Sequence, residues 1–169
     1  MSAPLVSIPV GVLVERSKSA SQWADFYWRP VGVLAGVPDT APWTKLSDDG
    51  DRATFYAGAA DVELYRTDTA NYRDNLQSEV PLLWIILWPR EADPPYELAA
   101  VTADPSEGEA MTEAGANLVE AVAMPKPMQE TIAAFVAQHH VEQVFVKRKR
   151  ERADPEALAR RGPVREDRK

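Results

Sequence analysis

The chain has no cysteine among its 169 residues and only two histidines. Without cysteine there is no disulfide, no thiolate metal site, no iron–sulfur ligation by the chain itself and no cysteine nucleophile. There is no long apolar run either. The longest, Leu82 to Trp88, covers seven residues, where a membrane helix needs about 20. The start of the chain lacks the pattern of a secretory signal, because no basic residue precedes Arg16 and Pro4 and Pro9 interrupt the first apolar stretch. Neither Gly-x-x-x-x-Gly-Lys-Ser/Thr nor Gly-x-Gly-x-x-Gly occurs, which excludes the familiar phosphate loops. A cytoplasmic protein that makes no membrane contact is the expectation.

Catalytic and metal-binding patterns are equally sparse. His139 and His140 are adjacent, and neighbours on a helix point about 100° apart, so they do not converge on one ion. Their expected place is a helix end, one ring packed and the other in water, near the negative pole of the helix dipole. No Gly-x-Ser-x-Gly elbow accompanies them, so a serine triad has no support. The turn Asp48-Asp49-Gly50-Asp51 lacks the ligand spacing of a calcium loop and reads as a hairpin turn. The chain is therefore read as a binding protein rather than an enzyme, with no cofactor. A small-ligand or enzymatic site assembled from scattered residues such as Arg29, Tyr56, Glu63 and Arg66 is the alternative.

What is present is a marked split of charge. Residues 147–169 hold 10 basic and 5 acidic side chains, whereas the chain as a whole carries a net charge of −7, which leaves −12 on residues 1–146. The run Lys147-Arg148-Lys149-Arg150-Glu151-Arg152 opens the basic part. This pattern predicts a folded acidic body over 1–146 and a basic tail over 147–169 that reaches an acidic partner. Nucleic acid is the less favoured target, since the body repels phosphates and no aromatic residue follows Phe145.

The hydrophobic fraction of 45% is sufficient for a real core. Val10, Val12 and Val14 alternate with less apolar neighbours, which predicts a strand over Leu5 to Arg16. Further strands are predicted over Trp23 to Leu34, with Pro30 at an edge or bulge, and over Trp43 to Leu46. Ala53 to Ala57 and Asp61 to Arg66 read as a hairpin turning at Gly58. Leu82 to Trp88 is apolar on both faces and predicts a central strand covered on both sides. Tyr96 to Ala103 and Val119 to Met124 complete the set. Helices are predicted over Thr69 to Leu76 with Thr69 as cap, after Asp104-Pro105-Ser106-Glu107, and from Pro127, where Met128, Ile132, Phe135, Val136 and His139 form one stripe. An extended exit over Val144 to Val146 and a brief helix over Asp154 to Arg161 follow. The fold class is α+β: a mostly antiparallel, curved sheet or part-open barrel, short helices, one longer C-terminal helix, then the basic tail.

Aromatic residues concentrate in the first ninety positions: Trp23, Tyr27, Trp28, Trp43, Trp84 and Trp88. Core packing accounts for most of such a set, and an interface accounts for the rest, because tryptophan, tyrosine and arginine dominate binding surfaces. The residues expected to contact a partner are Lys147, Arg148, Lys149, Arg150, Arg152, Phe145, Trp28 and Arg29.

The segment from His139-His140-Val141 through Val144-Phe145-Val146 to Lys147-Arg148-Lys149-Arg150 is distinctive. Together with Trp28-Arg29-Pro30-Val31, Phe55-Tyr56-Ala57-Gly58 and Glu63-Leu64-Tyr65, it resembles a family of small uncharacterised proteobacterial proteins encoded beside molybdenum-dependent formate dehydrogenases. The resemblance covers roughly Val10 to Arg152. It implies an accessory role in assembly, cofactor delivery or stabilisation of a molybdoenzyme, whose subunit would be the acidic partner. It supplies no catalytic residues.

Overall fold

Residues 2–20, 22–23 and 25–141 are described by the computed structural model. They form seven strands: β1 (Val6–Lys18), β2 (Phe26–Leu34), β3 (Thr44–Asp48), β4 (Arg52–Leu64), β5 (Leu82–Pro89), β6 (Tyr96–Thr102) and β7 (Leu118–Ala123). Three helices join them, α1 (Thr69–Gln77), α2 (Pro105–Glu113) and α3 (Lys126–His139), with a 3-10 turn over Arg66–Asp68 before α1. The architecture is α+β. Every ladder is antiparallel, and the strands divide into a four-stranded sheet, β2-β1-β4-β3, and a three-stranded sheet, β6-β5-β7.

The sheets meet along two seams, β4 beside β6 and β2 beside β7, with no ladder across either among the described residues. The barrel is therefore open. Its inner face is apolar by strand alternation: Val10, Val12 and Val14 from β1 meet Leu83, Ile85 and Leu87 from β5, all fully buried. Val62 and Leu64 of β4 join Met128, Ile132 and Phe135 of α3 and Tyr72 of α1 in the same core. No helix among the described residues is long and apolar enough to cross a membrane.

Pro30 sits where its missing N–H is tolerated. β2 is an edge strand, and its ladder slips between Leu13, which faces Gly32, and Val14, which faces Pro30, leaving Val31 as the extra residue. The strand begins at Phe26 rather than Trp23.

The hairpin expected at Gly58 does not form. β4 is one continuous strand, and Gly58 marks a bulge in it: Val12 faces Gly58 and Leu13 faces Tyr56, so Ala57 is extra. Gly58 has φ 134°, a conformation side-chain-bearing residues avoid. The kink lets the first half of β4 pair with β3 while the second half runs beside β6. A glycine inside a strand signals a bulge as well as a turn, and here the bulge prevails. The true hairpin turn is the acidic one. Asp48 Oδ1 accepts the Gly50 N–H at 2.9 Å, and Asp49 Oδ1 accepts those of Asp51 and Arg52 at 3.0 and 2.7 Å.

β5 is central to its sheet, with α2 lying over its outer face. Gly108 permits that contact. A Cβ there would stand 2.7 Å from Trp84 Cδ2 and closer still to the ring atoms nearest the Trp84 backbone, which cannot swing aside. Alanine favours a helix over glycine by about 1 kcal/mol, but overpacking costs about 1–3 kcal/mol and here takes effect at the root of a ring. Gly108→Ala should therefore destabilise, read as a lower midpoint in urea with an unchanged m-value. α2 starts as its sequence predicts, with Asp104 Oδ1 accepting the Ser106 N–H at 2.9 Å and Pro105 at the first helical position.

α1 is capped differently from expectation. Asp68 occupies the N-cap position without a side-chain cap bond, and Thr69 is the first residue of the helix. The preceding 3-10 turn moves the boundary by one residue and leaves the Thr69 hydroxyl to bond Arg66 O at 3.3 Å. The predicted exit over Val144 to Val146, the Asp154 to Arg161 helix and the boundary at Lys147 lie outside the described residues.

Candidate functional site

Arg16 and Lys45 of the four-stranded sheet converge on a cluster of rings. Cross-strand register puts them there. Arg16 on β1 faces Trp28 on β2 and Ala53 on β4, and Val14, one pleat away, faces Phe55. Trp28 meets Phe55 at 5.5 Å between centroids and Trp43 edge-on at 6.0 Å, and Trp43 meets Phe55 at 6.3 Å. The Arg16 guanidinium carbon lies 4.3 Å from the Phe26 centroid, 5.3 Å from Phe55 and 5.8 Å from Trp28. Lys45 Nζ stands 5.9 Å from the Phe55 ring and is paired with Asp48 at 2.8 Å. That pair, followed by the Gly50 N–H bond, holds the Asp48 carboxyl below its ordinary value.

Trp43 reaches this cluster at a conformational cost. It is the one non-glycine residue among the described ones with positive φ, at 62°, and a bulky side chain there costs on the order of 1–3 kcal/mol. Its N–H donates to Tyr56 O, and its ring closes the edge of the Trp28–Phe55 pair. Packing and main-chain bonding hold it in place. Such outliers concentrate at binding and catalytic sites.

Of the sequence-predicted contacts, Trp28 is the floor of this cluster, 8% exposed, so it organises the surface more than it offers itself. Phe26 at 41% is the exposed ring. Arg29, next to Trp28 in sequence, points its residue to the opposite side of the strand. It lines a crevice of about 230 Å³ along the β2–β7 seam with Pro30, Val31 and residues 120–123. Arg29 and Glu120 there form no ion pair among the described residues. Phe145, Lys147, Arg148, Lys149, Arg150 and Arg152 lie outside the described residues.

The scattered alternative site is not assembled. Tyr56 is buried within β4 close to Gly11, whereas Glu63 and Arg66 are exposed near the far end of that strand. Glu63 lies nine residues along β4 from Thr54, which shares the partner Glu15 with Arg29, roughly 30 Å at strand rise. Glu63 instead accepts the Tyr65 hydroxyl at 2.6 Å, a bond that raises the Tyr65 pKa.

His140 is held by hydrogen bonds, whereas His139 is half-buried and packs on a neighbouring ring. The His139 ring lies 4.6 Å from that of Phe135. His140 bonds α1 through both nitrogens, Nε2 to the Arg73 guanidinium at 2.9 Å and Nδ1 to Thr69 Oγ1 at 3.0 Å. Arginine only donates, so Nε2 accepts and a neutral ring carries its hydrogen on Nδ1, donating to Thr69. The pair thus ties the end of α3 to the start of α1. Sequence pattern alone did not show this, because Thr69 and Arg73 lie about seventy residues away. No group of three or more histidine and acidic side chains among the described residues is placed to hold a metal.

A family model described as a protein of unknown function, DUF3305, matches residues 9–149. The chain belongs to the DUF3305 family. No curated protein and no solved structure matches it. The match runs from β1 through the Arg16 cluster and the histidine tie and into the basic run, so the DUF3305 unit includes both the sheet surface and the start of the basic segment.

Proposed function

We propose that this DUF3305 protein is a non-catalytic accessory protein of the cytoplasm that binds a large acidic partner. The gene neighbourhood implied by its resemblance to a proteobacterial family points to a subunit of a molybdenum-dependent formate dehydrogenase. The observation that carries the reading is the cation–aromatic surface around Arg16, a rigid set of rings with an exposed edge at Phe26. Interfaces favour that composition: aromatic anchors and arginine, placed on strands rather than loops. The charge split adds a second contact, with the net +5 of residues 147–169 reaching a surface that the acidic body would repel. Assembly or stabilisation of the enzyme is the role such a protein performs.

Affinity capture from the native host tests this. The tagged full chain and a version ending at Val146 are compared at low and moderate salt. Recovery of a molybdoenzyme subunit by the full chain, reduced for the shorter one and at higher salt, is the expected result. Failure of the full chain to recover any such subunit sinks the accessory role.

The crevice at the β2–β7 seam supports a second reading, binding of a small zwitterionic ligand between Arg29 and Glu120. Its volume falls below the ~300–1,000 Å³ of drug-sized sites, which makes it the weaker of the two.

A further inference from the structure

Arg16 is a half-buried cation with no ion pair among the described residues. Its guanidinium has five N–H donors and no acceptor, yet among the described residues it makes no hydrogen bond and no ion pair. What it makes are ring contacts, with Phe26, Phe55 and Trp28 all within 6 Å of its carbon. The rings hold the guanidinium carbon in place but offer no oxygen acceptor, so its donors have no carboxylate among the described residues. An arginine held in this way gives up less freedom on forming a two-pronged bond to a carboxylate.

The charged neighbours do not fill that need. Asp48 feels Arg16, which contributes last among the causes that lower its carboxyl, but its oxygens are occupied by Lys45 Nζ and the Gly50 N–H. Glu15 points to the other face of β1, where it accepts the Ser17 hydroxyl at 3.2 Å and stands 4.0 Å from Arg52. Lys18 is two residues beyond Arg16 on the same face and exposed. The unspent charge of the cluster is positive, within a body that is otherwise acidic. A polyanion such as nucleic acid is repelled by that body at many charges at once, whereas a single carboxylate beside an apolar residue meets far less repulsion.

We propose that the Arg16 cluster receives one glutamate or aspartate side chain of the partner protein. The carboxylate forms a bidentate pair with Arg16, and an adjacent apolar side chain of the partner covers the exposed ring of Phe26. This rests on the accessory reading and names the chemistry of its contact.

The test uses the full chain labelled with 15N, following the Arg16 Nε–Hε signal, assigned by its loss in Arg16→Lys. The probes are a capped peptide of alternating glutamate and phenylalanine, its glutamine counterpart, and inorganic phosphate. The expected result is a saturable shift of the Arg16 signal with the glutamate peptide and none with the glutamine peptide. Arg16→Lys, which keeps the charge, should weaken binding of the glutamate peptide about tenfold or more, because the fork geometry is lost. A glutamine peptide that shifts the signal equally overturns the proposal, as does a glutamate peptide that leaves it unmoved. Phosphate binding as tightly as the glutamate peptide overturns it in favour of a simple anion site. Capture of the enzyme at undiminished strength by Arg16→Lys also rejects the Arg16 contact, and leaves the accessory role standing.

Discussion

Asn75→Ala is expected to lower stability by about 3–4 kcal/mol. Asn75 is 4% exposed and lies on the inner side of α1. Its Nδ2 donates to Leu82 O at 2.8 Å and to Ala103 O at 2.9 Å, and its Oδ1 accepts the Leu82 N–H at 3.0 Å. One side chain thus satisfies three main-chain groups, at the start of β5 and just past the end of β6. Removing it leaves those groups without partners in a buried place, each at about 1–3 kcal/mol, less whatever water recovers. In a chain of this length that is roughly 6–16 °C in Tm. Asn75→Asp distinguishes this account from simple loss of volume: it keeps the size and the acceptor, loses both donated bonds, and should be nearly as damaging. A loss under 1 kcal/mol for Asn75→Ala, by urea unfolding, would show that the three bonds are not a structural clasp.

Phe135→Ala is the second large effect, about 3–5 kcal/mol. Phe135 is 4% exposed in the middle of α3 and meets the Tyr72 ring of α1 edge-on at 6.2 Å, with the His139 ring on its other side at 4.6 Å. Truncation removes a buried ring packed between the two helices and opens a cavity in the core that also holds Ile132 and Leu64. Tyr72 reports on the site. Burial, ahead of the acidic groups Asp68, Asp104 and Glu107, pushes its hydroxyl well above 10.0. Because this hydroxyl ionises first in the unfolded chain, the stability it contributes is fully present below pH 10 and falls as pH rises past it. In Phe135→Ala the hydroxyl becomes more accessible, so phenolate absorption should appear at lower pH than in the parent. Equal titration curves would mean that Phe135 does not seal the helix pair.

Local pattern revealed those parts of the fold whose cause is local. The alternation of Val10, Val12 and Val14, the seven apolar residues of β5 and the Asp104–Pro105 start of α2 each carry their own signal over a few positions. Gly58 was ambiguous for a physical reason: positive φ serves a turn and a bulge equally, and only the register of β1 against β4 decides. Thr69 and Asp68 both suit a cap, and the 3-10 turn selected Asp68. Asn75 gave no signal, because its partners are main-chain groups of residues 82 and 103, which have no sequence character.

The candidate site divides along the same line. Trp28 stood out as an aromatic beside an arginine, but the arginine that matters to its ring is Arg16, twelve positions earlier and directly across the ladder. The one available signal was Arg16 and Lys18 at alternate positions at the end of a buried strand, next to an aromatic strand in sequence. Arg29 took the other face and the seam crevice.

The most direct test of the central claim, that this chain acts by binding an acidic protein through Arg16 and its basic segment, is calorimetric titration of purified molybdenum-dependent formate dehydrogenase from the native host with the full chain. The prediction is saturable binding that weakens as salt rises, weakens for the chain ending at Val146, and weakens again when Arg16 is lysine. An absence of binding at low salt by the folded full chain, or binding indifferent to all three changes, would contradict it.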